Sequence, residues 1–371
     1  MEVIEQAAKG TVMTSKANQK PNRHTGTDRL FRYAEFLDYG DVHIKFDPET
    51  GLRAIVAIHN LNRGPAIGGC RMVHYQNTDD AIEDALRLGY MMTYKAAISN
   101  LPHGGAKAVI MKPKEIKDRK ALLRAFGSFI EDLGGRYITA MDSGTNEEDM
   151  DTIAERTSYV TCTSASGSGG DPSPITAFGV RRGIEASVKF KLKRDNLEGV
   201  HIAIQGAGHV GYYLAKELFE RGARMTMCDI NPKSLDRCVK EFGVATCSID
   251  EIYDVEADVF APCALGSILN LHTIKRLRVP IVAGSANNQL AHHHHGVLLH
   301  ERDILYAPDF VINAGGLIYV AAVYDHADFA IANQQVSDIY DTLIPIYERA
   351  AKEKIATNEV AEKIAIEKLR V

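Results

Sequence analysis

Apolar and polar residues alternate over VHIKF (42–46) and again, beyond the turn DPETG, over LRAIVAI (52–58), which predicts two strands joined as a hairpin. From Asp79 the period changes: AIEDALRLGYMMTYKAA (81–97) sets Ile82, Leu86, Met92 and their neighbours on one helical face, and the pattern stops near Ser99–Asn100. Lys95 therefore sits late on a helix. Residues 120–133 predict a second amphipathic helix, and RYITA (136–140) predicts a short strand that runs into DSGTNEED, leaving the carboxylate of Asp142 at a strand end. The stretch SASGSGGDPSP, from Ser164 to Pro174, has the small residues and prolines of a hinge. Beyond it come a helix (Ile175–Phe190), a strand VHIAIQ, a glycine turn, a helix YYLAKELFERG and a strand MTMCD, which together make one βαβ unit. Further strands are expected at DVFAP, PIVAG and FVINA, and the last stretch of the chain has helical periodicity suited to an arm that returns to the first domain. No internal repeat is present.

At 371 residues the chain exceeds the usual size of one hydrophobic core, so two domains with a cleft between them are expected. Hydrophobic residues make up 45% and charged residues 25%, the balance of a globular chain rather than a disordered or membrane-embedded one. A net charge of −5 and a pI near 6.3 leave no basic field for nucleic acid or an anionic membrane, so neither is expected as a partner. The cysteines at 70, 162, 228, 238, 247 and 263 form no CxxC pair and no metal-ligand spacing, which fits reduced thiols in a cytoplasmic protein. No apolar run reaches the roughly 18 residues of a membrane span. Residues 1–28 are polar, carry Lys9, Lys16, Lys20 and Arg23, and are expected to form a flexible extension; Glu2 and Glu5 weaken the alternative of an organelle-targeting peptide.

The segment GAGHVG (206–211) matches GxGxxG between a predicted strand and helix, where that spacing has a mechanism. Gly206 permits the tight turn, Gly208 lets a pyrophosphate approach the backbone, and Gly211 lets the helix pack on the strand, with phosphate at the helix N-terminus. Asp229 ends the next strand at the position of a carboxylate that accepts from a ribose 2′-hydroxyl and repels a 2′-phosphate, so NAD is expected rather than NADP. The cofactor set expected from this turn and the strand ends beside it is Gly206, Ala207, Gly208, His209, Val210, Gly211, Asp229 and Ile230, with Cys263 and Ala264 beyond the strand DVFAP.

The first domain holds GPAIGGCRM (64–72), MTYKAA (92–97), LPHGGAKAVI (101–110) and ITAMDSGT (138–145). At these residues, and through GDPSPITAFGV, GAGHVG, APCALG, GSANNQL and YAPDFVINAGGL, the sequence resembles the glutamate/leucine/phenylalanine/valine dehydrogenase family over roughly residues 29–371, its leucine-oxidising branch most of all. The resemblance implies an α/β fold of two domains: a substrate and oligomerisation domain from 29–165 plus about 345–371, and a Rossmann-type NAD-binding domain over 166–344, closing about the hinge. It implies reversible oxidative deamination of a small apolar L-amino acid, leucine or a close relative, to its 2-oxo acid and ammonia, by a homo-oligomer.

The resemblance further implies that Lys95 holds the substrate carboxylate, that Lys107 is the acid/base, and that Asp142 handles protons at the amino group. The chemistry asks for such a set, because hydride loss from Cα leaves an iminium ion that water must attack, and something must deprotonate that water. A lysine is a poor base at its reference pKa of about 10.4, but desolvation and a second ammonium lower such a value by several units, a condition that Lys95 beside Lys107 would meet. Main-chain amides at Gly68, Gly69, Gly104 and Gly105 are further candidates for binding carboxylate, alongside the reading of these glycines as turns. Asn287 and Asn313, each following a late strand, are implied contacts of the nicotinamide ribose and the substrate amine. Ile67 lies where glutamate-specific relatives place a lysine, and with Met92, Ala140 and Val320 it is expected to make an apolar pocket wall.

Three positions depart from the family pattern, Ser143 after Asp142, His103 before the glycine pair, and Cys70 after GG; the first two bear on the pocket wall rather than the reaction type. Four consecutive histidines, His292–His295, cannot all face one ion, so a solvated loop is expected there and no metal site. The rival readings are an aromatic amino-acid dehydrogenase of the same family and, from another class, a nucleotide-binding protein without activity.

Overall fold

A computed structural model describes residues 35, 37, 39, 41–166, 171–264, 266–325 and 329–370. The expected extension at 1–28 and the hinge residues 167–170 lie outside these. The described chain divides into two compact units, the first containing the described residues from 35 to Asp171 together with Val320–Phe329 and Ala365–Val371, the second Pro172–Tyr319 and Ala330–Ile364. The sequence expectation set the boundary at 165/166 and sent the chain from about 345 back to the first domain; in this division only the short pieces 320–329 and 365–371 group with it.

The first unit is built on a five-stranded sheet in the order β1 (Asp41–Asp47), β2 (Leu52–Asn60), β4 (Gly104–Met111), β3 (Ala66–Val73), β5 (Tyr137–Met141). The hairpin β1–β2 is antiparallel, as its alternation predicted, and β3 lies parallel between β4 and β5. Helix α1 (Thr78–Ile98) packs on β4 and β2. Asn77 caps its start by accepting from the Asp80 amide, with Asp79 and Asp80 in the first turn and Lys95 in the last, each charge placed favourably on the helix dipole. Helices α2 (Arg119–Asp132) and α3 (Glu147–Ala154) pack on each other, and a capping box between Asn146 and Asp149 fixes where α3 begins.

The expectation of turns at the two glycine pairs is corrected here: Gly68 and Gly69 are inside β3, and Gly104 and Gly105 open β4. Their glycine identity comes from close approach rather than turning. A β-carbon on Gly105 would lie 2.0 Å from the Thr93 nitrogen of α1, and one on Gly68 1.9 Å from the Ala106 carbonyl oxygen.

The second unit holds a six-stranded, wholly parallel sheet: β8 (Ala245–Thr246), β7 (Arg224–Cys228), β6 (His201–Gln205), β9 (Val259–Pro262), β10 (Ile281–Val282), β11 (Leu305–Tyr306). The order reverses between β6 and β9, which is the dinucleotide-binding topology with its ligand crevice at the carboxyl ends of those two strands. The helices from Ser173 onward are α4 (Ser173–Leu192), α5 (His209–Phe219), α6 (Pro232–Phe242), α7 (Leu271–Arg276), α8 (His295–Glu301), α9 (Asp309–Ile312), α10 (Gly315–Tyr324), α11 (Phe329–Ser337), α12 (Ile339–Glu353) and α13 (Thr357–Leu369). The strand expected at FVINA is instead α9; the strand is Leu305–Tyr306, and the chain turns at Pro308. Phe310, Val311, Ile312, Ala314, Ile318 and Ala321 are all buried, and in so uniformly apolar a run neither a strand period nor a helix period is visible. Asn313 accordingly follows a short helix.

Candidate active site

Register places one set of residues on the sheet face that α1 covers. Ile67 of β3 is opposite Gly105 of β4 and Ile138 of β5, and Gly69 is opposite Ala140. The two-residue strand period then puts Arg71 and Lys107 on the same face. Gly69 has a reason to lack a side chain, since its β-carbon would stand 2.7 Å from Cβ of Asp142 and 3.2 Å from Nζ of Lys107. Lys107 is buried, and its Nζ forms an ion pair with Oδ2 of Asp142, the first residue beyond β5. Nε of Arg71 lies 3.5 Å from the same oxygen. Burial alone would raise the Asp142 carboxyl, but Lys107 and Arg71 outweigh it and hold the group at about 2, a carboxylate throughout the neutral range.

The loop that carries Asp142 is closed by its own hydrogen bonds. The Asp142 amide donates to Oγ1 of Thr145 at 3.0 Å, and the Thr145 amide returns to the Asp142 carbonyl at 3.0 Å. Arg119 spans Asp149 with two bonds of 2.7 Å and donates to the Gly144 carbonyl at 2.9 Å, which fastens the loop to the starts of α2 and α3. Chemically, a buried ammonium in contact with a carboxylate is a proton-transfer couple, able to take a proton at one atom and return it at the other.

Lys95 and Met92 are half-buried on the last turns of α1, which meets β4 through Gly89 and Thr93. Val320 is buried in α10, and Ile67 is fully buried. The Gly104 amide donates to the carbonyls of Gly64 and Pro65, at 3.3 and 3.1 Å. Ser143 is exposed, with its carbonyl accepting from the Met72 amide. His103 turns its nitrogens to the Pro65 carbonyl (3.1 Å) and to Asp325 (2.9 Å), fastening Asp325 to the start of β4. Cys70 is buried, and burial first, with Asp142 second, pushes its thiol up. All six cysteines are free.

Sequence reasoning missed Arg71, Thr145 and Arg119. The signal for Arg71 was present: with GPAIGGCRM taken as a strand, Ile67, Gly69 and Arg71 share a face.

In the second unit the glycine turn joins β6 to α5. Gly206 takes a positive φ of 108°, and a β-carbon on Gly211 would lie 2.0 Å from the Gly206 carbonyl oxygen. A β-carbon on Gly208 would meet nothing within 4 Å, so backbone and open space coincide at the start of α5, as a diphosphate requires. His209 and Val210 form its first turn. Asp229 accepts from the amides of Ala207 (2.6 Å) and Asn231 (2.7 Å), which locks it beside the turn and leaves lone pairs for ribose hydroxyls. Ile230 beside it is 85% exposed. Cys263 and Ala264, just beyond β9, lie against Gly206. Asn313 donates to Oδ1 of Asn287 at 2.7 Å and to the Ser285 carbonyl at 3.1 Å, while its own Oδ1 is buried without a hydrogen bond. An acceptor so placed fits a ligand N–H. These residues fit a nicotinamide dinucleotide.

The histidine run is a loop only in part. His292 and His294 are exposed, but His295 is buried and His293 is half-buried with Nε2 2.9 Å from Glu362 of α13. The short helix α8 begins at His295 and buries that side chain, which a reading of the run as uniformly solvated does not anticipate. Among the described residues no group of side chains has a metal-binding arrangement.

Residues 39–159 match a family profile described as Glu/Leu/Phe/Val dehydrogenase, dimerisation domain, and residues 229–368 match one described as Glutamate/Leucine/Phenylalanine/Valine dehydrogenase. The chain is 48% identical over 344 residues to a leucine dehydrogenase of Thermoactinomyces intermedius, covering 92% of this chain and 94% of that one. It is 43% identical to an L-tryptophan dehydrogenase of Nostoc punctiforme, covering 92% and 96%. A crystal structure of L-tryptophan dehydrogenase from the same organism superposes with a TM-score of 0.81 at 40% identity, over 92% of this chain and 98% of that one.

Proposed function

The chain belongs to the glutamate/leucine/phenylalanine/valine dehydrogenase family, and on that premise we propose that it oxidatively deaminates a branched-chain L-amino acid, leucine foremost, with NAD. The observation that carries the chemistry is the Lys107–Asp142 ion pair beneath the bare backbone of Gly69. When bound, NAD supplies the hydride acceptor. Lys95 binds the substrate carboxylate, Lys107 takes a proton from the attacking water at Nζ, and Asp142 passes protons to and from the substrate nitrogen. Ile67 is uncharged and fully buried, so a second carboxylate on the substrate side chain finds no cation there. Relatives named leucine dehydrogenase, at 46–48% identity, support leucine over an aromatic substrate.

Asp229 supports NAD over NADP, since a 2′-phosphate would meet a carboxylate already fixed by two amides. In steady-state kinetics kcat/KM should be much higher with NAD, and Asp229→Ser should narrow the gap; equal efficiency of NADP in the unaltered protein would refute the assignment. A homo-oligomer fits the dimerisation domain named for residues 39–159, and a cytoplasmic location fits the six free cysteines. No described helix is long and apolar enough to cross a membrane. The test of the reaction itself is stoichiometry: leucine and NAD should give 2-oxo acid, ammonia and NADH in equal amounts, and NADH without ammonia would exclude deamination.

A further inference from the structure

Lys107 and Asp142 account for proton transfer, but a third charged side chain stands on the same oxygen. Arg71 brings Nε to 3.5 Å from Oδ2 of Asp142, and its Nη1 donates to Oδ2 of Asp84 at 2.8 Å. Asp84 lies on α1, the helix that also carries Lys95, and it is itself held: the Tyr75 hydroxyl donates to it at 2.6 Å, and Arg87 lies 3.5 Å away. Neither Arg71 nor Asp84 contacts Lys107 in place of Asp142; the chain of contacts runs from α1 through Asp84 and Arg71 to Asp142 and ends on Lys107. We propose that Arg71 is a positioning residue of the acid/base pair, sharing the Asp142 carboxylate with Lys107 and tying it to the helix that bears Lys95.

The physical argument has two parts. Geometrically, the planar guanidinium of Arg71 donates from Nη1 to Asp84 while its buried Nε stands at ion-pair distance from Asp142, a fixed two-carboxylate geometry that an ammonium on a flexible stem does not reproduce. Arg71 at the end of β3 thus fixes where the Asp142 oxygen stands relative to α1, and a displacement of about 1 Å at such a site costs up to about 100-fold in rate. Electrostatically, Arg71 joins Lys107 in holding the buried Asp142 carboxyl well below its ordinary range, so loss of Arg71 lets that carboxyl rise. The groups facing Asp142 are Lys107 from β4 and Arg71 from β3, with Asp84, Arg87 and Tyr75 behind Arg71, and the Cys70 thiol, Arg119 and Asp149 on the side of the loop. Among these, Arg71 is the cation other than Lys107 that reaches the carboxylate within ion-pair distance.

The inference rests on the proposed reaction, so its test has one arm that needs no activity. In urea unfolding of the unaltered protein, Arg71→Gln, Asp142→Asn and the double variant, independent residues give midpoint shifts that add. Coupling through a shared carboxylate predicts that they do not, the second substitution costing little once the first is made. In the kinetic arm, Arg71→Gln should lower kcat for leucine about 10-fold to 100-fold with little change in KM, and should move the acid limb of the kcat/KM profile to higher pH. Arg71→Lys should restore the limb, because the charge returns, but only part of kcat, because the fork does not. Additive midpoint shifts, or an unmoved pH profile with a changed KM alone, would overturn the assignment of Arg71. A wild-type protein that oxidises none of the amino acids overturns the functional reading instead, and the unfolding arm distinguishes the two.

Discussion

At the scale of single residues the family resemblance pointed to Lys107 and Asp142 as the two ends of the proposed proton path, and their side chains meet in an ion pair. What holds them was not legible in the sequence. Arg71 was hidden because GPAIGGCRM looks like a glycine turn and is a strand, and Thr145 because a hydroxyl closing a loop leaves no periodic trace. Replacement of the lysines should separate their roles: Lys95→Ala raising the KM for the amino acid, Lys107→Ala lowering kcat about 10²-fold to 10⁴-fold and removing the limb of the pH profile that reports the acid/base group. Near-normal kcat in Lys107→Ala with an unchanged profile would assign the proton to another group. The glycine offers a subtler test. Gly69→Ala brings a methyl to 2.7 Å from Cβ of Asp142, a contact that must displace it, so turnover should fall with the fold intact by circular dichroism.

At the scale of elements, amphipathic pieces were the readable ones: the hairpin β1–β2, the helix α1 and the βαβ unit around GAGHVG appear where alternation or a three-to-four-residue period placed them. Elements buried on every side were not, and FVINA became α9 because an all-apolar run carries no period. The contact between His293 and Glu362, which joins the start of α8 to α13, was likewise invisible to pattern. Burial alone would lower the His293 imidazole, but its bond to Glu362 outweighs this and raises it above its ordinary value near 6.5, while burial raises the Glu362 carboxyl. A histidine raised in the folded state adds stability that is complete below its unfolded value and is lost as pH rises through the folded one. The unaltered protein should therefore exceed Glu362→Gln in unfolding free energy by more at pH 6 than at pH 9, with a difference on the order of 2 kcal/mol at the lower pH. A gap that is constant, or that widens with pH, would show that the pair is not ionised in the folded protein.

At the scale of the molecule, two domains and their order were legible from length, hinge composition and the single βαβ signature, and the strand order of the parallel sheet is the one that signature implies. The ends of the units were not, because a helix such as α13 runs unbroken through a point where the division changes and no local signal marks it. Function at this scale depends on the side chain that the site admits. An apolar wall separates homologous aliphatic substrates only by about 0.8 kcal/mol per methylene, so leucine, isoleucine and valine should differ modestly, whereas a glutamate side chain would bury an unpaired charge and be nearly excluded. The most direct test is kcat/KM with NAD for leucine, isoleucine, valine, phenylalanine and glutamate on one preparation. The result predicted is a graded preference headed by leucine with glutamate almost inert; comparable turnover of glutamate, or a clear preference for phenylalanine, would contradict it.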